Sequence, residues 1–183
     1  MILETAAVGP FFKNGYVVGC ESTRKAVFID PGDEVEQLLA AIKAKQLDVT
    51  HILLTHAHVD HVSGVAEAKR ALAAPIYLHR DDLFLYDNAV RTGMMFGLTV
   101  EQPPPVDVFY EGEGSIAFGN YDVRVVHTPG HCPGGVCLAI SKIGDPSPPH
   151  LFVGDTLFAG SIGRTDLPGG NYDTLLNAIT QTL

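Results

Sequence analysis

Residues 55–61 read Thr55-His56-Ala57-His58-Val59-Asp60-His61 and follow directly on the apolar run His51-Ile52-Leu53-Leu54. That run is too short for a helix before the polar cluster begins, so it reads as a strand. Three histidines and one aspartate then fall within six residues at its tip. Side chains alternate along an extended segment, so His56 and His58 share a side. Asp60 and His61 fall where the chain turns toward the next helix, so they can address a second point nearby. Imidazole plus carboxylate is ligation of the kind that suits Zn²⁺, Fe²⁺ or Mn²⁺.

Two later stretches repeat the device of apolar strand, sharp turn and metal-type side chain. Val126-His127-Thr128-Pro129-Gly130-His131 ends one strand, and its Pro-Gly turn presents His131. Phe152-Val153-Gly154-Asp155 ends another, with Asp155 at the tip, although an aspartate there also suits a turn or a helix cap. Such clusters at strand ends fit loops that carry function on a rigid sheet.

Outward from these motifs, strands and helices alternate. Tyr16-Val17-Val18 and Lys25 to Ile29 read as adjacent strands, the second closed by Asp30-Pro31-Gly32. Asp33 reads as an N-cap with Glu36 at N3, opening a helix to about Lys45 that buries Leu38, Leu39 and Ile42. Gly64 to Ala73 reads as helix, Ile76 to Leu78 as strand and Asp81 to about Met95 as helix. Pro103-Pro104-Pro105 forces an extended connector. Val106 to Tyr110, Ser115 to Phe118, Tyr121 to Val126, Val136 to Ile140 and Leu151 to Val153 follow as strands. Tyr172 to Leu183 reads as an amphipathic helix with Leu175, Leu176 and Ile179 on one side. The alternation predicts layered α/β structure.

The chain has 183 residues, 46% hydrophobic and 18% charged, an ordinary globular composition that excludes disorder and fibrous classes. Its length predicts one domain. Twelve basic against 21 acidic residues give a net charge of −9, which argues against nucleic-acid partners. Cys20, Cys132 and Cys137 form no C-x-x-C pair and read as reduced thiols. Met1-Ile2-Leu3-Glu4-Thr5 lacks a basic leader, and no stretch approaches 18 apolar residues. These features predict a soluble, cytoplasmic protein with no membrane partner, and leave the oligomeric state open.

His-x-His-x-Asp-His, then Thr-Pro-Gly-His, then Gly-Asp-Thr-Leu-Phe resembles the metallo-β-lactamase superfamily in its compact glyoxalase II-like (hydroxyacylglutathione hydrolase-like) branch. The resemblance runs from about Tyr16 to Leu183. It implies an αββα sandwich with a two-metal site along one edge of the sheets. By resemblance, His56, His58 and His131 hold the first metal, Asp60 and His61 the second, and Asp155 bridges both. Asp30 matches a position that supports the ligand loop, or is simply a turn residue. Zn²⁺ is the implied cofactor, with Fe²⁺ or Mn²⁺ open. The implied reaction is hydrolysis of a small-molecule thioester, S-lactoylglutathione-like, by a hydroxide generated at the metals and oriented by Asp60. Two alternatives stand beside it: a mononuclear iron persulfide dioxygenase and a non-catalytic metal-binding protein.

The family pattern also calls for a histidine in a Pro-Gly-His-Gly turn beyond the helix that begins near Tyr172, and the chain ends at Leu183. This predicts a domain without its C-terminal strand and helix, and a second metal held weakly or not at all. Cys132, beside His131, is expected to be an inert small residue. Arg164 is expected either to contact an anion or to pair with Asp166. Met94-Met95-Phe96 is expected to pack in the core rather than line a pocket.

Overall fold

The computed structural model describes residues 1–110 and 114–183. The first sheet has the order β1-β2-β3-β4-β5-β6, built from Ile2–Val8, Lys13–Gly19, Lys25–Ile29, Asp48–Leu53, Ile76–Leu78 and Val108–Phe109. Strands β1 to β3 pair antiparallel, and β3 to β6 pair parallel. The second sheet has the order β10-β9-β8-β7, from His150–Phe152, Val136–Lys142, Tyr121–His127 and Ser115–Phe118, all antiparallel. A small hairpin, β11 (Leu157–Phe158) with β12 (Ser161–Ile162), follows β10.

The helices are α1 (Glu36–Ala44), α2 (Val59–Val62), α3 (Val65–Leu72), α4 (Leu83–Asp87), α5 (Ala89–Met95) and α6 (Tyr172–Gln181), with a 3-10 turn at Arg80–Asp82. Strand periodicity sorts the core into two layers. Val17, Ala26, Phe28 and Ile52 point toward the α1–α5 side, where they pack with Leu38, Val62 and Val65. Their neighbours Val18, Val27, Ile29 and Leu53 point the other way and meet Val123, Leu138 and Ile140 of the second sheet. Because residues 26–29 of β3 and 52–53 of β4 are covered on both faces, these stretches read as continuous apolar runs rather than alternating ones. Each such buried side chain stabilises the fold by about 1.5–3 kcal/mol. Helix α6 lies on the side of the second sheet, where Asn171 N–H donates to Gly130 O at 2.7 Å. The architecture is an αββα sandwich.

Local expectations differ from the structure in four places. Asp33 does not cap α1: Val35 holds the N-cap position and the Asp33 carboxylate accepts from Glu34 N–H. The expected Asp81–Met95 helix is broken at Asp82 and Asn88. The Asp82 carboxylate is committed to distant backbone, and the Asn88 amide donates to Phe84 O at 2.8 Å while its backbone leaves helical geometry. Leu176 is exposed, and α6 buries Leu175 and Ala178 instead. Residues 2–8, for which no strand is expected, form edge strand β1, paired along its length with β2. No helix of the described residues is long and apolar enough to cross a membrane.

Candidate metal centre

Three strands deliver the site from their C-terminal ends. β4 leads into His56 and His58, β8 into His131, and β10 into Asp155. The two sheets are tied at this edge by backbone, Val136 N–H donating to Thr55 O at 2.8 Å. His56, His58 and His131 come together as one group whose ligand atoms lie within 4.8 Å of one another. His56, His61 and Asp155 form a second group by the same measure. Asp155 stands between the groups: Oδ1 lies 3.2 Å from His61 Nε2 and Oδ2 lies 3.6 Å from His131 Nε2. Asp60 sits at the start of α2, part-exposed, outside both groups but with Oδ2 3.7 Å from His61 Nε2.

Polar groups behind the rings fix which nitrogen faces the centre. His61 Nδ1 bonds Asp30 Oδ2 at 2.9 Å, and His131 Nδ1 donates to Arg164 O at 2.7 Å. Each thereby turns Nε2 inward, the arrangement by which outer partners set a ligating histidine's tautomer. His56 Nδ1 lies 3.1 Å from Thr55 Oγ1, and that hydroxyl donates to Asp30 Oδ2 at 2.6 Å. Thr55 N–H donates to Asp30 Oδ1 at 2.7 Å, so one carboxylate orders the whole β4 tip. Asp30 itself adopts φ 50°, a left-handed conformation that these bonds hold in place.

The electrostatics suit a cation. Burial, reinforced by the rings of His61, His58 and His131, holds His56 well below its ordinary pKa. His58 is pushed down to about 3, by burial first and then by His131 and His61. Both therefore offer neutral imidazoles at neutral pH. Burial also opposes charge on His61, but Asp30 and Asp155 outweigh it and raise its pKa to about 9, so at neutral pH it holds a proton that a divalent ion would displace. Burial pushes Asp155 up, yet the surrounding histidines bring it below the usual carboxylate value. His56 Nε2 and His61 Nε2 are buried without a hydrogen-bond partner, and His58 Nδ1 meets His131 Nε2 at 2.7 Å. Leaving such atoms unsatisfied costs about 1–3 kcal/mol each. A divalent ion satisfies lone pairs of this kind, and the His/Asp donor set fits one.

Sequence reasoning missed two residues here. Asp82, fully buried, accepts from Ala57 N–H at 3.0 Å, Gly134 N–H at 2.6 Å and Cys132 Sγ–H at 3.1 Å. It clamps the loop bearing His56 and His58 to the loop bearing His131. Lys13 is also buried; its ammonium donates to Asp30 O, and Asp30, Asp60 and Asp155 support its charge against a pKa that burial lowers. An aspartate inside a predicted helix and a lysine ahead of a strand carry no local signal of either role. Cys132 is buried and burial, with Asp82 beside it, pushes its thiol pKa up, so it is no nucleophile. Arg164 pairs bidentately with Asp166, at 2.8 Å for both bonds. Met94-Met95-Phe96 is not core: all three are exposed, and Met95 and Phe96 line a cavity of about 710 Å³ that opens onto the centre. They close α5 beside the β1–β2 turn, while the helix buries Ala89 and Gly93 instead.

The sequence pattern of the metallo-beta-lactamase superfamily matches residues 8–183. The chain belongs to the metallo-beta-lactamase superfamily. It is 33% identical to the hydroxyacylglutathione hydrolase GloC of Haemophilus influenzae, over all of this chain and 84% of that one. That likeness lies in the glyoxalase II-like branch. Among solved structures, the chain is similar to the BLEG-1 B3 metallo-beta-lactamase, with TM-score 0.87 and 34% identity over 100% of this chain and 85% of that one. It is also similar to TTHA1623, solved in a di-iron-bound form, with TM-score 0.81 and 42% identity over 98% of this chain and 84% of that one.

Proposed function

We propose that this member of the superfamily is a metal-dependent hydrolase of small-molecule thioesters. The observation that supports it is the pair of donor groups sharing His56, with the two oxygens of Asp155 directed one to each. His56, His58 and His131 would hold one ion; His61 and Asp155, with Asp60 beside them, would hold a second. Zn²⁺ is our first assignment, and the di-iron form of TTHA1623 keeps Fe²⁺ as the competitor. Divalent ions there supply a lowered water pKa and polarisation of a carbonyl oxygen.

The chain's own residues do the rest. Asp30 and the Arg164 carbonyl keep the His61 and His131 protons on Nδ1. Asp60 Oδ2 stands at the cavity side of the centre, where it orients the attacking water and takes its proton. The water oxygen bonds the acyl carbon and the C–S bond breaks. The sulfur leaves with the electron pair and recovers a proton, so water and thioester become a carboxylic acid and a thiol. The cavity admits the substrate at that point.

Zinc-loaded protein is expected to release thiol from S-lactoylglutathione or another thioester. Asp60→Ala should lose at least 100-fold in kcat while its circular dichroism and the ion on His56, His58 and His131 stay unchanged. Turnover no better than free zinc refutes the enzyme reading and leaves a metal-binding protein. Iron loading with oxygen uptake on glutathione persulfide, and no thioester turnover, replaces hydrolase by dioxygenase.

A further inference from the structure

We propose that the cavity beside the metal centre is an acyl-binding site, and that the substrate carries a medium-length apolar acyl group on a thiol without carboxylates. The inference rests on the thioesterase reading and names its substrate class.

Three segments distant in sequence form the cavity's apolar walls. Phe11 and Phe12 come from the β1–β2 turn, Met95 and Phe96 from the end of α5, and Leu157 and Phe158 from β11. Phe12 is 78% exposed and Met95 77%, and Phe11 meets Phe96 edge-on at 5.7 Å between ring centroids. Exposed large side chains gathered around one opening mark a ligand surface rather than scattered exposure. The opening is continuous with the metal centre, since His58, Asp60, His61, His131 and Asp155 line the same cavity. An acyl carbon held at the centre therefore sends its chain along these walls.

Charge excludes a glutathione-like carrier. Lys13 and Arg164 supply the cations among the described lining residues. Lys13 is buried with its ammonium on Asp30 O, and the Arg164 fork is filled by Asp166. Two carboxylates of a glutathione thiol would find both of these side-chain cations already engaged. An apolar chain gains about fourfold in affinity per methylene fully buried.

Hydrolysis again forms one C–O bond and breaks one C–S bond, giving a fatty acid and a neutral thiol. The test compares S-octanoyl-N-acetylcysteamine with S-lactoylglutathione on zinc-loaded protein. The expected result is at least tenfold higher kcat/KM for the octanoyl ester. Calorimetry with two non-hydrolysable probes, the S-octyl thioether of N-acetylcysteamine and S-methylglutathione, should show at least tenfold tighter binding of the octyl probe. The double variant Met95→Ser with Phe158→Ser should lose at least tenfold more kcat/KM on the octanoyl ester than on lactoylglutathione, with zinc content and circular dichroism at parental values. Turnover of both esters with lactoylglutathione preferred overturns the acyl-site inference alone. Octyl-probe preference without turnover of either ester overturns the thioesterase reading, and the substrate assignment with it.

Discussion

Asp82→Asn removes the clamp between the two ligand loops while nearly preserving shape. The native carboxylate takes three donors, Ala57 N–H and Cys132 Sγ–H on Oδ2 and Gly134 N–H on Oδ1, in a fully buried position. An asparagine keeps one oxygen and turns an amide N–H against at least one of those donors. A hydrogen bond to a charged group is worth about 1.5–3 kcal/mol, and a buried donor left unpaired costs about 1–3 kcal/mol. Allowing for relaxation, the substitution should destabilise by about 3 kcal/mol. At roughly 2–4 °C per kcal/mol for a chain of this size, the melting temperature should fall by about 6–12 °C. Because the clamp joins the His56/His58 loop to the His131 loop, zinc affinity should also fall, by about 10- to 100-fold. Thermal unfolding in chelator, with zinc titration against a chromophoric competitor, measures both. Cys132→Ala removes one weak donor only and should stay within about 1 kcal/mol. A D82N protein that melts within 2 °C of the parent and holds zinc equally well would refute the clamp.

Gly163→Ala should abolish folding or metal binding, because a Cβ there would lie 1.8 Å from Asp155 O and 3.1 Å from His131 Nδ1; a soluble variant with parental zinc content contradicts this. Chelation should lower the melting temperature of zinc-loaded protein, since free ion at about 100-fold over Kd contributes about 2.7 kcal/mol; an unchanged transition means that no ion binds the native state. Metal analysis at pH 7 should find one tight ion, on the three-histidine group, and a second about 100-fold weaker, because it must displace the His61 proton; two equally tight ions would count against this. Asp107 gives the pH test: burial pushes its pKa up, but Lys69 at 2.8 Å and Ile76 N–H at 2.8 Å bring it below the ordinary value. A depressed folded pKa means stability present above about pH 4 and lost as pH falls through the folded value. Asp107→Asn should therefore destabilise at pH 7, by under about 1 kcal/mol, and not at all once the parent's carboxyl is protonated. Urea midpoints of both proteins at each pH read the difference, and an equal gap at both would contradict it.

Residues 51–61 carried most of what could be read without coordinates. An apolar run followed by four metal-type side chains is a local pattern, and backbone alternation alone put His56 and His58 on one side. Apart from β1, the strands of both sheets were legible for the same reason, since stretches such as residues 26–29 and 136–140 are apolar enough to be buried on both faces. Helix starts and stops were less so. Asp33 looks like a local capping residue and Asp82 like an ordinary helix position, and each is used otherwise.

The rest depends on atoms that are neighbours in space and strangers in the chain. That His61 turns Nε2 inward follows from Asp30, 31 residues away, and the same holds for His131 and the Arg164 carbonyl. Asp82 reaches backbone at 57 and 134, which no periodicity connects. The cavity walls join residues 11–12, 95–96 and 157–158, each an ordinary apolar pair until the fold leaves them exposed around one opening. Local spacing specified the donor types, because ligation chemistry is a property of single side chains. Tautomer, charge state and pocket shape waited for the packed sheets, because those properties belong to contacts.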